Sequence, residues 1–239
     1  MSATDPLTVH PLVTAIEDEF AAVRDLDAPL AERLGRVAAR VRTESPEFAA
    51  EVNAFIGRLA RAEAGQGAPQ VGELLPGFLL ADEQGRLTGL DELRGGGPLV
   101  VAFVRGHWCP YCRLNTIGLG EIEESLAPAK LVVISPERQE FSRRHKAESG
   151  ARCPFLTDPG CGYALSLNLA IWVDPRMARL IASAGWDLPT YNGGDGWLLP
   201  VPSVFVLDRD GRIAARHVDP NYRSRMELGD IVDAVRRLG

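Results

Sequence analysis

The feature that most constrains the fold is a series of short, nearly continuous apolar segments beyond residue 74, of which 99–104 (LVVAFV) and 131–135 (LVVIS) are the strongest. Strands that are apolar on both faces and alternate with helices predict a central sheet covered by helices on both sides. The last two strands form a predicted hairpin with Asp210 and Gly211 at its turn. The predicted strands are 77–81, 99–104, 131–135, 155–157, 203–208 and 213–218, and the predicted helices of this part are 112–126, 137–149, 162–169 and 225–238.

The first part of the chain follows a different pattern, in which apolar residues recur every three to four positions. This spacing predicts three amphipathic helices over 12–23, 30–41 and 48–59, and Ser45 before Pro46 is typical of a helix start. A stretch with Gly and Pro, 64–72, follows. We therefore divide the chain into a helical N-terminal extension, 1–66, and an α/β domain, 67–239. The extension is either a docking element, for example in a homodimer, or a cover for the domain.

Charge and hydropathy exclude several partners. The 239 residues include 26 basic and 32 acidic side chains, a net charge of -6, whereas nucleic-acid binding depends on clustered Lys and Arg. No basic segment followed by an apolar one opens the chain, and no apolar run approaches the ~20 residues of a membrane span. We therefore expect a cytoplasmic protein with neither a nucleic-acid nor a membrane partner. In a reducing cytosol its four cysteines are thiols, redox centres or metal ligands before they are structural disulfides.

Two of these cysteines, Cys109 and Cys112, directly follow the strongest predicted strand and open a helix. Their spacing places both sulfurs on one face of the first helical turn. Cys109 lies at the helix N-terminus, where unpaired N–H groups and the helix dipole lower the pKa of a thiol, and Arg105 and His107 add positive charge. We therefore expect Cys109 to be the nucleophile and Cys112 the resolving thiol.

Structural zinc and a pair of inert buried thiols are the alternatives. Zinc would need Cys153 and Cys161 as a second pair, but these lie eight residues apart, and the residues after Cys153 begin a predicted strand. No metal and no other cofactor is therefore predicted. Cys153 is expected to be buried, and Cys161, where a turn enters a helix, to be partly exposed.

The segment 170–200 fits neither pattern and carries three of the four tryptophans, Trp172, Trp186 and Trp197. A loop of this length is usually functional or contains a short helix of its own, here predicted over 175–184. The segment is either a lid or pocket wall, or a set of aromatic residues that fills a peripheral core.

Three segments, VVAFVRGHWCPYC, CPFLTDPGCGYALSLNL and WDLPTYNGGDGWLLPVPSVFVLDRDGRIAARHVDPNYRSR, resemble in this order the peroxiredoxin-like branch of the AhpC/TSA family, over roughly residues 70–238. The resemblance implies a thioredoxin-like fold, a central mixed sheet flanked by helices, to which the N-terminal helical extension is added. The turn from Trp108 to Cys112 is similar to the active-site turn of the thioredoxin superfamily. The resemblance also places Val201 and Pro202 in a substrate-binding loop whose cis proline faces the cysteines, with Trp108 as a further substrate-binding residue.

The sequence departs from this family at three positions. Ala102 and Gly106 stand where typical peroxiredoxins have a proline and a Thr or Ser that orients the peroxide, and Phe103 stands where thioredoxins have a buried carboxylate. An arginine of the segment DPNYRSR, Arg223 or Arg225, is a candidate to approach the thiolate, although a solvated or helix-capping arginine is the more common case.

The resemblance implies a thiol-dependent antioxidant enzyme that reduces peroxides through a Cys109 thiolate and a Cys109–Cys112 disulfide. A dithiol donor, such as a thioredoxin or glutathione system, would supply the electrons. The Cys-Pro-Tyr-Cys chemistry alone indicates a thiol-disulfide oxidoreductase of the glutaredoxin or thioredoxin type, acting on protein or mixed disulfides. The third hypothesis is a redox-sensing binding module without catalysis.

Overall fold

The computed structural model describes residues 10–239, and the expectations for residues 1–9, including the start of the N-terminal extension, lie outside this part. The described residues form ten α-helices and nine β-strands. The helices are α1 (Pro11–Val23), α2 (Leu30–Glu44), α3 (Pro46–Arg61), α4 (Leu90–Arg94), α5 (Pro110–Ile122), α6 (Gln139–Ser149), α7 (Gly162–Ser166), α8 (Pro175–Ser183), α9 (Leu188–Asn192) and α10 (Leu228–Arg236). The strands are β1 (Leu79–Asp82), β2 (Leu87–Gly89), β3 (Leu99–Phe103), β4 (Lys130–Ser135), β5 (Phe155–Thr157), β6 (Ala170–Trp172), β7 (Leu198–Pro200), β8 (Ser203–Leu207) and β9 (Ile213–Val218).

The main sheet has seven strands in the order β2-β1-β5-β4-β3-β8-β9. Strands β3, β4 and β5 are parallel, and the remaining neighbours are antiparallel, so the predicted mixed sheet is confirmed. All five residues of β3 are buried, because helices cover both faces of the sheet centre. This central strand ends shortly before the turn that contains Cys109 and Cys112, the cysteine turn.

Local sequence accounts for the principal starts and turns. Ser45 caps α3, since its hydroxyl oxygen accepts a hydrogen bond from the backbone N–H of Phe48 (3.3 Å). In the β8–β9 hairpin the Asp208 carboxylate accepts hydrogen bonds from the backbone N–H groups of Asp210 and Arg212. Gly211 closes this turn with φ +84°, a conformation that glycine adopts at no steric cost.

The N-terminal helices cover the α/β domain. The helices and the domain share one apolar core, which extends from Phe20 and Val23 to β3. Arg33 of α2 is buried and donates to the carbonyl of Val23 and to the carboxylate of Glu121 in α5 (3.1 Å). A cover within one chain is thus present, whereas a role in a homodimer and the boundary at residue 66 stay predictions. No helix in residues 10–239 is long and apolar enough to cross a membrane.

The segment 170–200 lies outside the main sheet, and its two ends pair with each other. Strands β6 and β7 pair antiparallel at its two ends, and α8 and α9 lie between them. The predicted helix over 175–184 is present as α8, which Asp174 caps by accepting from two backbone N–H groups. Strands β2, β6 and β7 were not predicted. Each has only three residues, which is too short for a periodic pattern.

Candidate active site

The cysteine turn joins the end of β3 to the start of α5. Cys109 is the N-cap of α5 with an extended backbone (φ -92°, ψ 112°), and Pro110 occupies the first helical position, where its missing N–H leaves no hydrogen bond unmade. The backbone N–H of Cys112 donates to the carbonyl of Cys109 (3.0 Å). Both cysteines have 0% exposure and are free thiols in the structure. The pair therefore lies at the predicted strand-to-helix junction, but inside the protein.

Two arginines contact the two sulfurs. Nη2 of the buried Arg105 lies 2.9 Å from Sγ of Cys109, and Nη2 of the buried Arg225 lies 3.5 Å from Sγ of Cys112. The ring of Tyr222 packs under the Arg105 guanidinium at 3.5 Å, a cation–π contact that holds the charge in place. The expected solvated or capping role is thus wrong for Arg225, whereas Arg223 donates to Asn221.

The surroundings of the two thiols favour ionisation of Cys112 over ionisation of Cys109. Burial disfavours ionisation of Cys112, but three stabilising effects outweigh it. They are the hydrogen bond from the Cys109 thiol, the positive charges of Arg225 and Arg105, and the hydrogen bond from the Arg105 backbone N–H (3.3 Å). Together they hold the pKa of Cys112 well below its usual value. Burial and the bond to Cys112 raise the pKa of Cys109 well above its usual value, against the Arg105 charge. The predicted lowering of the pKa at Cys109 is therefore found at Cys112, because the hydrogen-bond donors converge there.

The other two cysteines lie apart from this hydrogen-bond network. Cys153 and Cys161 are both buried, so the expected partial exposure of Cys161 is wrong. Burial raises the pKa of Cys153, and raises that of Cys161 to about 12 together with the charge of Asp158. Both are inert thiols at neutral pH. In residues 10–239 no group of three or more His, Cys, Asp or Glu side chains is arranged to hold a metal ion.

The loop predicted to bind substrate has a different geometry from that expected. Ala127–Pro128 is the one cis peptide bond in residues 10–239, so the bond before Pro202 is trans and the expected cis proline is wrong. Residues 201 and 202 connect β7 to β8, and the N–H of Val201 is already paired with the carbonyl of Leu169 (2.7 Å). A substrate contact at Val201 and Pro202 stays a prediction.

Residues 70–234 match the sequence model of the redoxin family. The chain belongs to the redoxin family. This match confirms the expected family of thioredoxin-fold redoxins. No curated protein matches the sequence.

Solved structures share the fold of this redoxin at low identity. The peroxidoxin BcpB from Mycobacterium tuberculosis is 17% identical, with a TM-score of 0.56 over 72% of this chain and 99% of its own. A point mutant of peroxiredoxin 6 from Arenicola marina is 18% identical, with a TM-score of 0.54 over 71% of this chain and 73% of its own. A peroxiredoxin-like protein from Aquifex aeolicus is 14% identical, with a TM-score of 0.51 over 72% of this chain and 89% of its own.

The redoxin has a buried carboxylate that sequence reasoning missed. Glu137 follows β4 and has 0% exposure. Its Oε2 accepts a hydrogen bond from the backbone N–H of His107 (2.8 Å), and its Oε1 lies 2.6 Å from His107 Nδ1. Burial raises the pKa of Glu137 despite the His107 contacts, and the negative charge of a Cys112 thiolate raises it further. No local pattern marks Glu137, because it is thirty positions from its partner.

Glu137 also explains why Gly106 stands where typical peroxiredoxins have a Thr or Ser. A Cβ atom at Gly106 would lie 2.4 Å from the Glu137 carboxyl group, and its φ of +138° disfavours any other residue. The carboxylate occupies the space in which a hydroxyl side chain would lie. A buried His–Glu pair beside the cysteines therefore fills the space next to Gly106.

A narrow apolar cavity of about 40 Å³ approaches the cysteine turn between the N-terminal helices and the 170–200 segment. Trp108 lines it and packs against Trp186 (6.0 Å between ring centroids). The expected pocket wall is therefore present at Trp186, whereas Trp172 is 59% exposed. Residues from four parts of the chain line the cavity, including Ile16, Val41, Phe48, Val52 and Phe55 of the N-terminal helices, Met177, Ile181 and Trp186 of the 170–200 segment, Arg105, Trp108, Pro110 and Tyr111 of the cysteine turn, and Tyr222 and Arg223 of the segment before α10.

Proposed function

We propose that this redoxin is a thiol-dependent antioxidant enzyme that reduces peroxides through a Cys109 thiolate and a Cys109–Cys112 disulfide. Family membership supports thiol peroxidase or thiol oxidoreductase chemistry in general. The observation that carries the specific proposal is the contact of Arg105 and Arg225 with the two sulfurs, because guanidinium groups inside a protein stabilise a thiolate and a developing oxyanion strongly.

The reaction begins with a proton shift. Transfer of the Cys109 proton to Cys112 leaves the thiolate on Cys109, where Arg105 stabilises it. The Cys109 sulfur then attacks the terminal peroxide oxygen, the O–O bond breaks, and the leaving alkoxide takes a proton to become an alcohol. Cys109 is now a sulfenic acid. Cys112 attacks its sulfur and releases water, so that two thiols have become one disulfide and the peroxide has been reduced by two electrons.

Two hydrogen-bond donors beside Cys109 can replace the missing Thr or Ser hydroxyl. The indole Nε1–H of Trp108 and the Nε–H of Arg105 are buried and have no hydrogen-bond partner in the structure. Buried donors without partners are rare, and they are commonly found where a ligand completes the hydrogen bonding. A peroxide at Cys109 gives both donors an acceptor.

A dithiol donor of the thioredoxin type, or a glutathione system, then reduces the disulfide. We place the reaction in the cytoplasm, because a reducing compartment returns the cysteines to thiols after each turnover. The N-terminal helices over the site restrict access, so we expect the donor to act after these helices move or from the side of His107 and Tyr191. A homodimer is compatible with this scheme but not required by it.

Disulfide exchange with protein or mixed disulfides is the second candidate. The observation that favours it is Glu137, a buried carboxylate whose pKa is coupled to the Cys112 thiolate and which can accept the proton of Cys112 when a mixed disulfide resolves. The small cavity counts against a folded protein as the substrate.

The test compares fully reduced wild type, Cys109→Ser and the control Cys161→Ser with hydrogen peroxide, cumene hydroperoxide and a mixed disulfide of a peptide. We expect wild type and Cys161→Ser to consume both peroxides at equal rates and Cys109→Ser to consume neither. Reduction of the mixed disulfide without peroxide consumption would replace the proposal by the second candidate. Turnover of neither peroxide nor mixed disulfide by wild type would favour a non-catalytic sensing module. Activity that persists in Cys109→Ser would refute the role of Cys109.

A further inference from the structure

A cleft of about 340 Å³ lies between α2 and the segment that joins β9 to α10. Three arginines line it, Arg42 of α2 and Arg223 and Arg225 of the joining segment, together with the amides of Asn53 and Asn221. No carboxylate lines the cleft in the described part of the chain. In a protein of net charge -6, a cleft whose charged residues are all arginines is a local exception that attracts anions.

The three arginines have no charged partner within residues 10–239. No ion pair in this range includes Arg42, Arg223 or Arg225. Arg223 donates to the Asn221 side chain (3.0 Å), and Arg225 donates to two backbone carbonyls of its own segment, so these acceptors are neutral. Glu227, the next carboxylate along the chain, accepts hydrogen bonds from two backbone N–H groups at the start of α2. The positive charge of the cleft is therefore not compensated by its own lining.

Arg225 connects this cleft with the cysteine pair. Its side chain lines the cleft, is only 8% exposed, and places Nη2 3.5 Å from the sulfur of Cys112. Nε of the same guanidinium is buried without a hydrogen-bond partner in the described protein. Buried donors without a partner are rare, and an ion or a water is a common acceptor for them. One guanidinium thus lines an anion-attracting cleft and contacts a redox sulfur.

The donors of the cleft suit a phosphate group better than a carboxylate. They are three guanidinium groups and two amides, and they come from α2, α3 and the segment before α10. A carboxylate presents two oxygens in one plane, whereas a phosphate monoester has three terminal oxygens that point in different directions and a charge of about -1.5 to -2 at pH 7. Arginine is also the side chain of choice for phosphate recognition. Donors from three elements can therefore all reach an oxygen of one phosphate group.

We propose that this cleft binds a phosphate group, as inorganic phosphate or as the monoester of a small metabolite, and that the bound phosphate competes with the Cys112 thiolate for the charge of Arg225. In the reduced protein the thiolate offsets part of this charge. In the Cys109–Cys112 disulfide the sulfur is neutral, so phosphate binds more tightly to the oxidised protein. By reciprocity, bound phosphate stabilises the disulfide against reduction. The dependence on oxidation rests on the disulfide of the proposed function, whereas the binding of phosphate does not.

Calorimetric titration of the fully reduced protein at neutral pH tests the site. Inorganic phosphate, glycerol 3-phosphate and acetate are compared at constant ionic strength. We expect at least one of the two phosphate compounds to bind at least tenfold more tightly than acetate, and the tighter of the two identifies the source of the phosphate group. Arg42→Gln should weaken this binding about tenfold, because it removes one charge-assisted hydrogen bond.

Arg40→Gln is the matched control for this titration. Arg40 is on the same helix as Arg42 but pairs with Glu44, so the variant should bind phosphate as wild type does. Absence of binding by both phosphate compounds, equal affinity for phosphate and acetate, or equal effects of Arg42→Gln and Arg40→Gln would overturn the proposal.

The same titration of the oxidised protein tests the competition for Arg225. Diamide converts the two thiols to the disulfide, and peptide mapping verifies the product. We expect phosphate to bind this form about fivefold or more tightly than the reduced protein, which is within the usual range of coupling between two sites. Reduced Cys112→Ser, which has no thiolate beside Arg225, should bind phosphate as tightly as the oxidised wild type.

The outcomes separate this proposal from the proposed function. Equal affinities of reduced wild type, oxidised wild type and Cys112→Ser would refute the competition and leave the peroxidase function standing. If the disulfide does not form, the proposed function fails, and the comparison of reduced wild type with Cys112→Ser still decides whether phosphate and the thiolate compete.

Discussion

The Nη2 atom of Arg105 lies 2.9 Å from the sulfur of Cys109 in a part of the core that solvent does not reach. Burial opposes the charge of Arg105, but the neighbouring thiolates and Tyr222 raise the pKa of its guanidinium, so it stays charged at every working pH. A permanent cation beside two buried thiols means that the pair holds a thiolate although it lies in a low-dielectric environment. This contact links the fold of the β3–α5 turn to its chemistry.

Replacing Arg105 is therefore expected to suppress the thiolate. A charge-assisted hydrogen bond is worth about 1.5–3 kcal/mol, which corresponds to roughly one to two pKa units. In Arg105→Gln the first ionisation of the thiol pair moves up by this amount, measured as the pH dependence of alkylation by iodoacetamide. Arg105→Lys should give an intermediate midpoint. An unchanged midpoint in Arg105→Gln, with a native melting curve, would refute the role of this residue.

Glu137→Gln is expected to move the same midpoint in the opposite direction. The Cys112 thiolate raises the pKa of Glu137, and by reciprocity the carboxylate disfavours the thiolate, so a neutral amide favours it. We expect a lower midpoint for thiol ionisation, by a fraction of a pH unit. The exposed Glu140, which pairs with Arg138, provides the control Glu140→Gln, which should leave the midpoint unchanged. A rise in the midpoint for Glu137→Gln would contradict the assigned electrostatics.

Gly106→Ala tests the exchange of a hydroxyl for a buried carboxylate. The added Cβ meets the Glu137 carboxyl at 2.4 Å, and overpacking of this kind costs about 1–3 kcal/mol beyond the backbone strain. Gly185→Ala is the control, because Gly185 also has a positive φ (+95°) but open space around it. The free energy of unfolding in urea should fall further for Gly106→Ala by that difference. Equal losses would mean that Glu137 does not fill the space.

His145 should make the protein sensitive to acid. Burial, together with the charges of His107 and Arg113, lowers the pKa of His145 to about 3 from 6.5. Protonation of the unfolded chain below pH 6.5 therefore favours unfolding, and stability is lost as the pH falls from 6.5 towards 3, at up to about 1.4 kcal/mol per pH unit. His145→Gln, which can keep the contact with Thr116 (2.9 Å), should flatten this part of the profile. Parallel urea-unfolding profiles of the two proteins between these pH values would contradict the assignment.

The sequence predicted the parts of the molecule that depend on local pattern. The spacing of apolar residues identified the strands of the sheet centre and the three N-terminal helices. The sequence also placed Cys109 and Cys112, the candidate redox pair, correctly at a strand-to-helix junction. The second arginine of the site could not be predicted in the same way, because Arg225 is 113 positions from Cys112 and its DPNYRSR segment resembles a solvated loop.

The carboxylate and the cavity were missed for the same physical reason. Glu137 reaches His107 only because β3 and β4 are parallel neighbours whose ends lie side by side. The cavity forms where residues from four separate segments meet. Strands β6 and β7 likewise pair across the 170–200 segment, and each has only three residues, too few for a periodic pattern.

Peptide mapping after oxidation tests the central claim most directly. Trypsin cleaves after Arg105 and Arg113 and releases one peptide, 106–113, that contains both Cys109 and Cys112. After one equivalent of peroxide is added to fully reduced protein, we expect this peptide to be lighter by two hydrogen atoms and to resist alkylation, while Cys153 and Cys161 remain free. Recovery of 106–113 with two alkylated thiols, or a disulfide to Cys153 or Cys161, would contradict the account.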